Sequence, residues 1–172
     1  MKNILASQKS FFYAQKTKSY AFRFEQLSKL KVAISTHQDE IIHALRKDLG
    51  KSSFEAYATE IGYTLKSIQF VQKRLKTWMK TKKVKTPFFQ LLTTSYIQPE
   101  PKGQILIIGP FNYPFQLVIE PLIGAIAAGN TVFLKPSEFT PNVSKIIELI
   151  IKETFDSNYI HVVQGGVEVT QA

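Results

Sequence analysis

The sequence predicts an α/β fold: an N-terminal helical layer followed by a parallel sheet in β-α-β-α-β order. Two observations carry this. From Gly103 onward, short apolar runs alternate with longer helical stretches, the pattern of a parallel sheet built with crossover helices. Before that point, apolar residues recur at steps of three and four, the period of amphipathic helices.

In the first half, Phe24, Leu27, Leu30 and Ile34 mark one helix, and Ile42, Leu45 and Leu49 mark the next. Gly50 suits the left-handed position just past that second helix. Ser52 with Glu55 then offers a capping box. The helix it opens has a stripe of Ala58, Ile61, Leu65, Ile68, Val71, Leu75 and Trp78, fading into Lys80-Thr-Lys-Lys83. Pro87 marks a linker, and Ser95 to Gln98 reads as an edge strand, because the prolines at 99 and 101 exclude a central one.

The second half reads as strand 104–108, helix 116–128, strand 131–134, helix 142–155 and strand 160–163. Gly129-Asn130 and Pro141-Asn142 supply the helix stop and start. Three strands in this order make one mononucleotide-binding half of a doubly wound sheet. The division expected is therefore a helical layer over 1–86, a linker with an edge strand over 87–101, and the first α/β half over 102–172.

Composition narrows the function. With 172 residues, 44% of them hydrophobic and 20% charged, the chain can bury a substantial core. Cysteine is absent, which excludes disulfides, zinc–thiolate sites and a cysteine nucleophile within these residues. The longest apolar region, Leu117 to Ala128, is too short to span a bilayer and carries Glu120 and Pro121. No secretory h-region opens the chain, so a cytoplasmic location is expected. The three histidines, His37, His43 and His161, have no metal-ligand spacing.

The net charge of +9 is uneven, with 18 basic and 6 acidic residues up to Gln98. The densest stretch, Lys73 to Lys85, contains no acid. A nucleic-acid or anionic-membrane patch is one reading. A solvated helix face is the preferred one, because no recognition motif accompanies the lysines, and no nucleic-acid partner is expected.

Two loops carry the chemistry. Gly109-Pro-Phe-Asn-Tyr-Pro114 follows the first strand of the sheet, and Lys135-Pro-Ser-Glu138 follows the second. Strand ends of this kind are where open α/β sheets hold cofactors and substrates. The Asn112 carboxamide can donate to a developing oxyanion without changing charge; alternatively it bonds its own proline-flanked turn. Glu138 can accept from a ribose diol and would repel a 2′-phosphate, while Lys135 can donate to either; alternatively Glu138 caps the following helix and Lys135 lies on the surface. The glycine fingerprint Gly-x-Gly-x-x-Gly is missing.

The run Pro101-Lys-Gly-Gln-Ile-Leu-Ile-Ile-Gly-Pro-Phe-Asn-Tyr-Pro-Phe115 resembles the aldehyde dehydrogenase superfamily. So do Gly124-Ala-Ile-Ala-Ala-Gly-Asn130, Leu134-Lys-Pro-Ser-Glu138, Val163-Gln-Gly-Gly166 and, upstream, Asp48-Leu-Gly-Lys51. The branch it looks most like is the class-three or fatty-aldehyde type. The resemblance implies a partial Rossmann-like sheet from the family's NAD or NADP domain, and an aldehyde substrate oxidised to a carboxylic acid. By position, Ile108, Gly109, Pro110 and Phe111 would line the nicotinamide side, Lys135 and Glu138 would hold the adenosine ribose, and Gly165 would approach the adenine end. Asn112 would belong to the oxyanion hole. The family's cysteine nucleophile, glutamate base and catalytic domain have no counterpart within these residues. The chain is therefore expected to be the N-terminal portion of a longer, homodimeric enzyme and inactive alone. The alternative is a truncated, non-catalytic relative acting as a binding or assembly module.

Overall fold

The computed structural model describes residues 1–90 and 92–171. Four elements precede the long central helix: α1 (Lys2–Tyr13), α2 (Tyr20–Thr36), α3 (Gln38–Leu49) and the single turn α4 (Ser53–Ala56). A π-helical turn, Tyr57–Ile61, runs directly into α5 (Gly62–Trp78). A small antiparallel pair follows, β1 (Lys82–Val84) with β2 (Ser95–Ile97), in the register Lys83↔Tyr96. The parallel sheet is β3 (Gln104–Ile108), β4 (Thr131–Lys135) and β5 (Ile160–Val162), with α6 (Gln116–Ala128) and α7 (Pro141–Thr154) as its crossovers and α8 (Val167–Gln171) after β5. Strand order is β3-β4-β5, all parallel, with Leu106 opposite Phe133 and Phe133 opposite His161.

The α/β reading holds, and the crossover elements fall within a residue or so of their expected limits. Helices α6 and α7 stack on the sheet, and α2, α3 and α5 pack outside them. Ile107, Val132, Leu134 and Ile160 meet Val118, Ile119, Leu122, Val143 and Ile147 in one core that continues to Leu27, Leu30, Ile34, Ile68 and Leu75. The second face of β3 is less covered: Leu106 and Ile108 remain 60% and 51% exposed. No helix of the described residues is long and apolar enough to cross a membrane.

Several helical faces differ from the expected stripes, each for a tertiary reason. In α2, Phe24 lies at the surface beside Tyr20, and Arg23 is buried in its place. Its guanidinium donates to the carbonyls of Thr17 and of Ala127 at the end of α6, both at 3.1 Å. In α3 the inward residues are Ile41, Ala44 and Leu45, while Leu49 stays outside the core at 37% exposure. That phase turns Asp48 toward α7, where it accepts from the backbone of Val143 at 2.8 Å.

The helix opened by Ser52 is interrupted. Ser52 Oγ accepts from Glu55 N at 3.2 Å, the forward half of the expected capping box. The π turn then inserts one extra residue, so Ala56 rather than Ala58 is buried and both Glu60 and Ile61 point inward. Farther on, Ile68, Val71 and Leu75 keep the expected stripe, but Trp78 sits at the surface against Phe70.

Helix α1 carries Gln8, fully buried, whose Nε2 donates to the Val132 carbonyl at 2.8 Å. Phe11 packs on Tyr159 and Phe22 to complete that contact. The lysine-rich end of α5 enters strand β1, which gives the expected strand at Ser95 a partner outside the parallel sheet.

Candidate functional site

The site is assembled by strand register. Ile108 ends β3 opposite Lys135, which ends β4, and Gly109 N donates to the Lys135 carbonyl at 2.9 Å. The loops after the two strands therefore leave the sheet side by side. Gly109 is demanded by packing, since a Cβ there would lie 2.2 Å from Val118 Cγ2 on α6. Across the gap, Phe111 and Phe139 meet edge to face with ring centroids 6.5 Å apart, tying one loop to the other.

In the first loop, Pro110, Phe111, Asn112 and Tyr113 are exposed and Pro114 is buried. Tyr113 takes a left-handed backbone with φ of 47°, unusual for a residue with a side chain. None of the hydrogen bonds of the described residues engages the Asn112 carboxamide, so the alternative in which it bonds its own turn has no support. Pro114 hands the chain to α6, whose first amides, Phe115 N and Gln116 N, donate to Glu60 Oε2 at 2.9 and 3.1 Å.

In the second loop, Lys135 is 4% exposed and its ammonium donates to Glu138 Oε2 at 2.5 Å. That bond, helped by a backbone N–H, holds the Glu138 carboxyl below the usual carboxylate range. The helix-cap alternative for Glu138 is not what forms. The N-terminus of α7 is capped by Asp48, while Glu138 turns to Lys135.

Two clefts border these residues. One, of about 220 Å³, is lined mainly by apolar side chains, among them Leu106, Ile108, Phe133, Val163 and Val169, with Lys135 in its wall. A smaller one, of about 130 Å³, has Pro136, Glu138, Pro141, Ser144 and Gly165 around it. Gly165 has φ of 145°, and a Cβ on it would lie 2.2 Å from Val169 Cγ2, so only glycine fits. The structure thus brings Ile108, Lys135, Glu138 and Gly165 around adjoining clefts. Gly109, Pro110, Phe111 and Asn112 line neither; they form the projecting loop beside them.

A buried ion pair that no sequence motif marks as a pair supports that loop from beneath. Glu60 is fully buried and Lys51 is 8% exposed; their side chains meet at 2.5 Å, and Lys51 Nζ lies 4.1 Å from the centre of the Tyr113 ring. The available signal was a glutamate next to Ile61 within an apolar stripe, which a strictly α-helical period assigns to the outside.

The aldehyde dehydrogenase family model matches residues 2–172. The 4,4'-diaponeurosporen-aldehyde dehydrogenase of Staphylococcus aureus (strain NCTC 8325 / PS 47) is 61% identical over 163 residues, which cover 95% of this chain and 36% of that protein. Aldehyde dehydrogenase family 3 member A2 of Macaca fascicularis is 40% identical over 159 residues, covering 92% of this chain and 33% of the relative. Among solved structures, a substrate-bound state of Staphylococcus aureus AldH superposes with a TM-score of 0.96 at 58% identity, over 99% of this chain and 37% of that one. The chain spans about a third of the length of these relatives. Its motifs, its sheet and the family match over residues 2–172 together show that it belongs to the aldehyde dehydrogenase family.

Proposed function

We propose that this chain is the N-terminal, cofactor-holding part of an enzyme that oxidises an aldehyde to a carboxylic acid with NAD or NADP. The observation that carries the reading is the pairing of Ile108 with Lys135 at the strand ends. It sets the exposed Asn112 loop beside the Lys135–Glu138 pair and the apolar cleft.

The residues present fit a dinucleotide. The cleft walls formed by Leu106, Ile108 and Phe133 suit a flat ring system, and Lys135 and Glu138 offer a donor and an acceptor to the ribose hydroxyls. Gly165 borders the smaller cleft, and its missing Cβ leaves room for Val169, which lines the larger one. A nicotinamide held beside Ile108 would supply the hydride acceptor. Ile108 lines the apolar cleft and Phe111 stands on the loop beside it, while the Asn112 amide donates to the aldehyde oxygen as negative charge gathers on it. The nucleophile and the base are supplied by residues outside this chain, which contains no cysteine. The family resemblance further supports assembly of the intact protein as a cytoplasmic homodimer.

The test compares the purified 172-residue chain with the full-length protein that contains it. Aldehyde-dependent NADH or NADPH formation by the full-length protein, and none by the chain alone, is the expected pair of results. Turnover by the chain alone would refute its reading as one part of the enzyme. A full-length protein without turnover on aliphatic or aromatic aldehydes would favour the non-catalytic alternative.

A further inference from the structure

Three unusual features converge within a few residues of Asn112. A π turn brings Glu60 into the interior, where its carboxylate is fully buried. One oxygen of that carboxylate takes the Lys51 ammonium at 2.5 Å. The other takes Phe115 N and Gln116 N, at 2.9 and 3.1 Å. Lys51 in turn lies against the face of Tyr113, 4.1 Å from its centre, and Tyr113 is the residue held in the left-handed region.

Neither charge is explained by packing. A buried ion pair is costly to form and contributes little net stability compared with apolar residues of the same size. A π turn forgoes regular α-helical bonding and commonly marks a functional position. Here the extra residue has a definite consequence. It turns Glu60 inward beside Ile61, at the one place where a carboxylate meets the first amides of α6. The segment from Asn112 to Gln116 is then fixed at both ends. Lys51 holds the Tyr113 ring by a cation–π contact, and Glu60 anchors the helix start after Pro114.

We infer that Lys51 and Glu60 are positioning residues for Asn112: as a buried pair they clamp Tyr113 and the start of α6, and so fix where the Asn112 carboxamide points. The inference rests on the oxyanion role proposed for Asn112. It adds that the aim of this donor is set by a charge pair at residues 51 and 60 rather than by the loop itself. A donor that must meet a developing charge within hydrogen-bond distance loses most of its effect when its aim is relaxed.

The experiment is a double-mutant cycle in the full-length protein, assayed with an aliphatic aldehyde and a saturating nicotinamide cofactor. Glu60→Gln and Lys51→Met should each lower kcat by about tenfold or more while leaving the KM for the cofactor within about twofold. In an Asn112→Ala background the same changes should cost nothing further, because the donor they aim is already gone. Tyr113→Ala should behave like Lys51→Met, and Tyr113→Phe, which keeps the ring face, should recover most of the loss.

Thermal melting of each variant separates misfolding from misaiming. Should Glu60→Gln fail to fold, Lys51→Met and the two Tyr113 variants carry the cycle. Losses that multiply with Asn112→Ala, or that fall equally on the cofactor KM, would overturn the positioning role. If Asn112→Ala itself leaves kcat unchanged, the oxyanion reading fails instead, and the two failures are distinguishable.

Discussion

Asp48, in the last turn of α3, caps the helix that begins at Pro141: its carboxylate accepts from Val143 N at 2.8 Å and from the Asn142 side chain at 2.6 Å. Thr140, the residue that precedes α7, makes no side-chain cap of its own. One carboxylate thus joins the helical layer to the crossover that leads from Lys135 and Glu138 to β5. Asp48→Ala should destabilise the fold by about 1–2 kcal/mol, the usual cost of losing an N-cap. Chemical unfolding would show this as a lower midpoint at unchanged slope.

Gly129 ends α6 with φ of 87°, and a Cβ there would lie 2.6 Å from the Arg23 guanidinium. That guanidinium cannot swing away freely, because it is bonded to Thr17 and Ala127. Gly129→Ala is therefore expected to cost about 2 kcal/mol or more, combining backbone strain with loss of the Arg23 contacts. A midpoint within error of the parent protein would contradict this.

Glu120 lies between α5 and α6, where burial raises its pKa above the ordinary carboxylate range despite a 2.8 Å bond from Ser67. The folded state therefore binds its proton more tightly than the unfolded state does. Stability from this group is present below the unfolded-state value and is lost as pH rises through the raised one. Glu120→Gln should be more stable than the parent at neutral pH, with the difference shrinking on acidification into the carboxylate range. A gap that stays constant with pH would argue against the assignment.

Glu138 and Lys135 hold each other at 2.5 Å, so changing one alters what the other offers a ligand. Glu138→Gln should weaken NAD binding more than NADP binding. It removes a charged acceptor for the ribose diol and releases Lys135 toward a 2′-phosphate. Titration calorimetry of the full-length protein with both cofactors is the check. Equal losses for the two would remove Glu138 from the ribose.

The parallel sheet was legible because its signals are local. Gln104 to Ile108 and Thr131 to Lys135 are mainly apolar runs, the first flanked by Gly103 and Gly109 and the second by Asn130 and Pro136, and the loops that follow them carry the polar residues. The strand ends alone thus place Ile108 beside Lys135 and send the loops that carry Asn112 and Glu138 out of the sheet side by side. What stayed hidden depends on distant partners. Gln8 bonds a carbonyl 124 positions away, and Glu60 bonds an amide 55 positions away. Neither leaves a periodic trace. The π turn that brings Glu60 inward also breaks the helical phase by which a stripe is read.

The role of Asn112 is decided by the turnover of the full-length protein and its Asn112→Ala variant with one aldehyde and saturating cofactor, under conditions where chemistry limits the rate. If Asn112 is the oxyanion donor, kcat falls by about 100- to 1,000-fold, the usual cost of removing one such donor, with cofactor affinity nearly unchanged. An unchanged kcat, or a loss confined to cofactor binding, would contradict it.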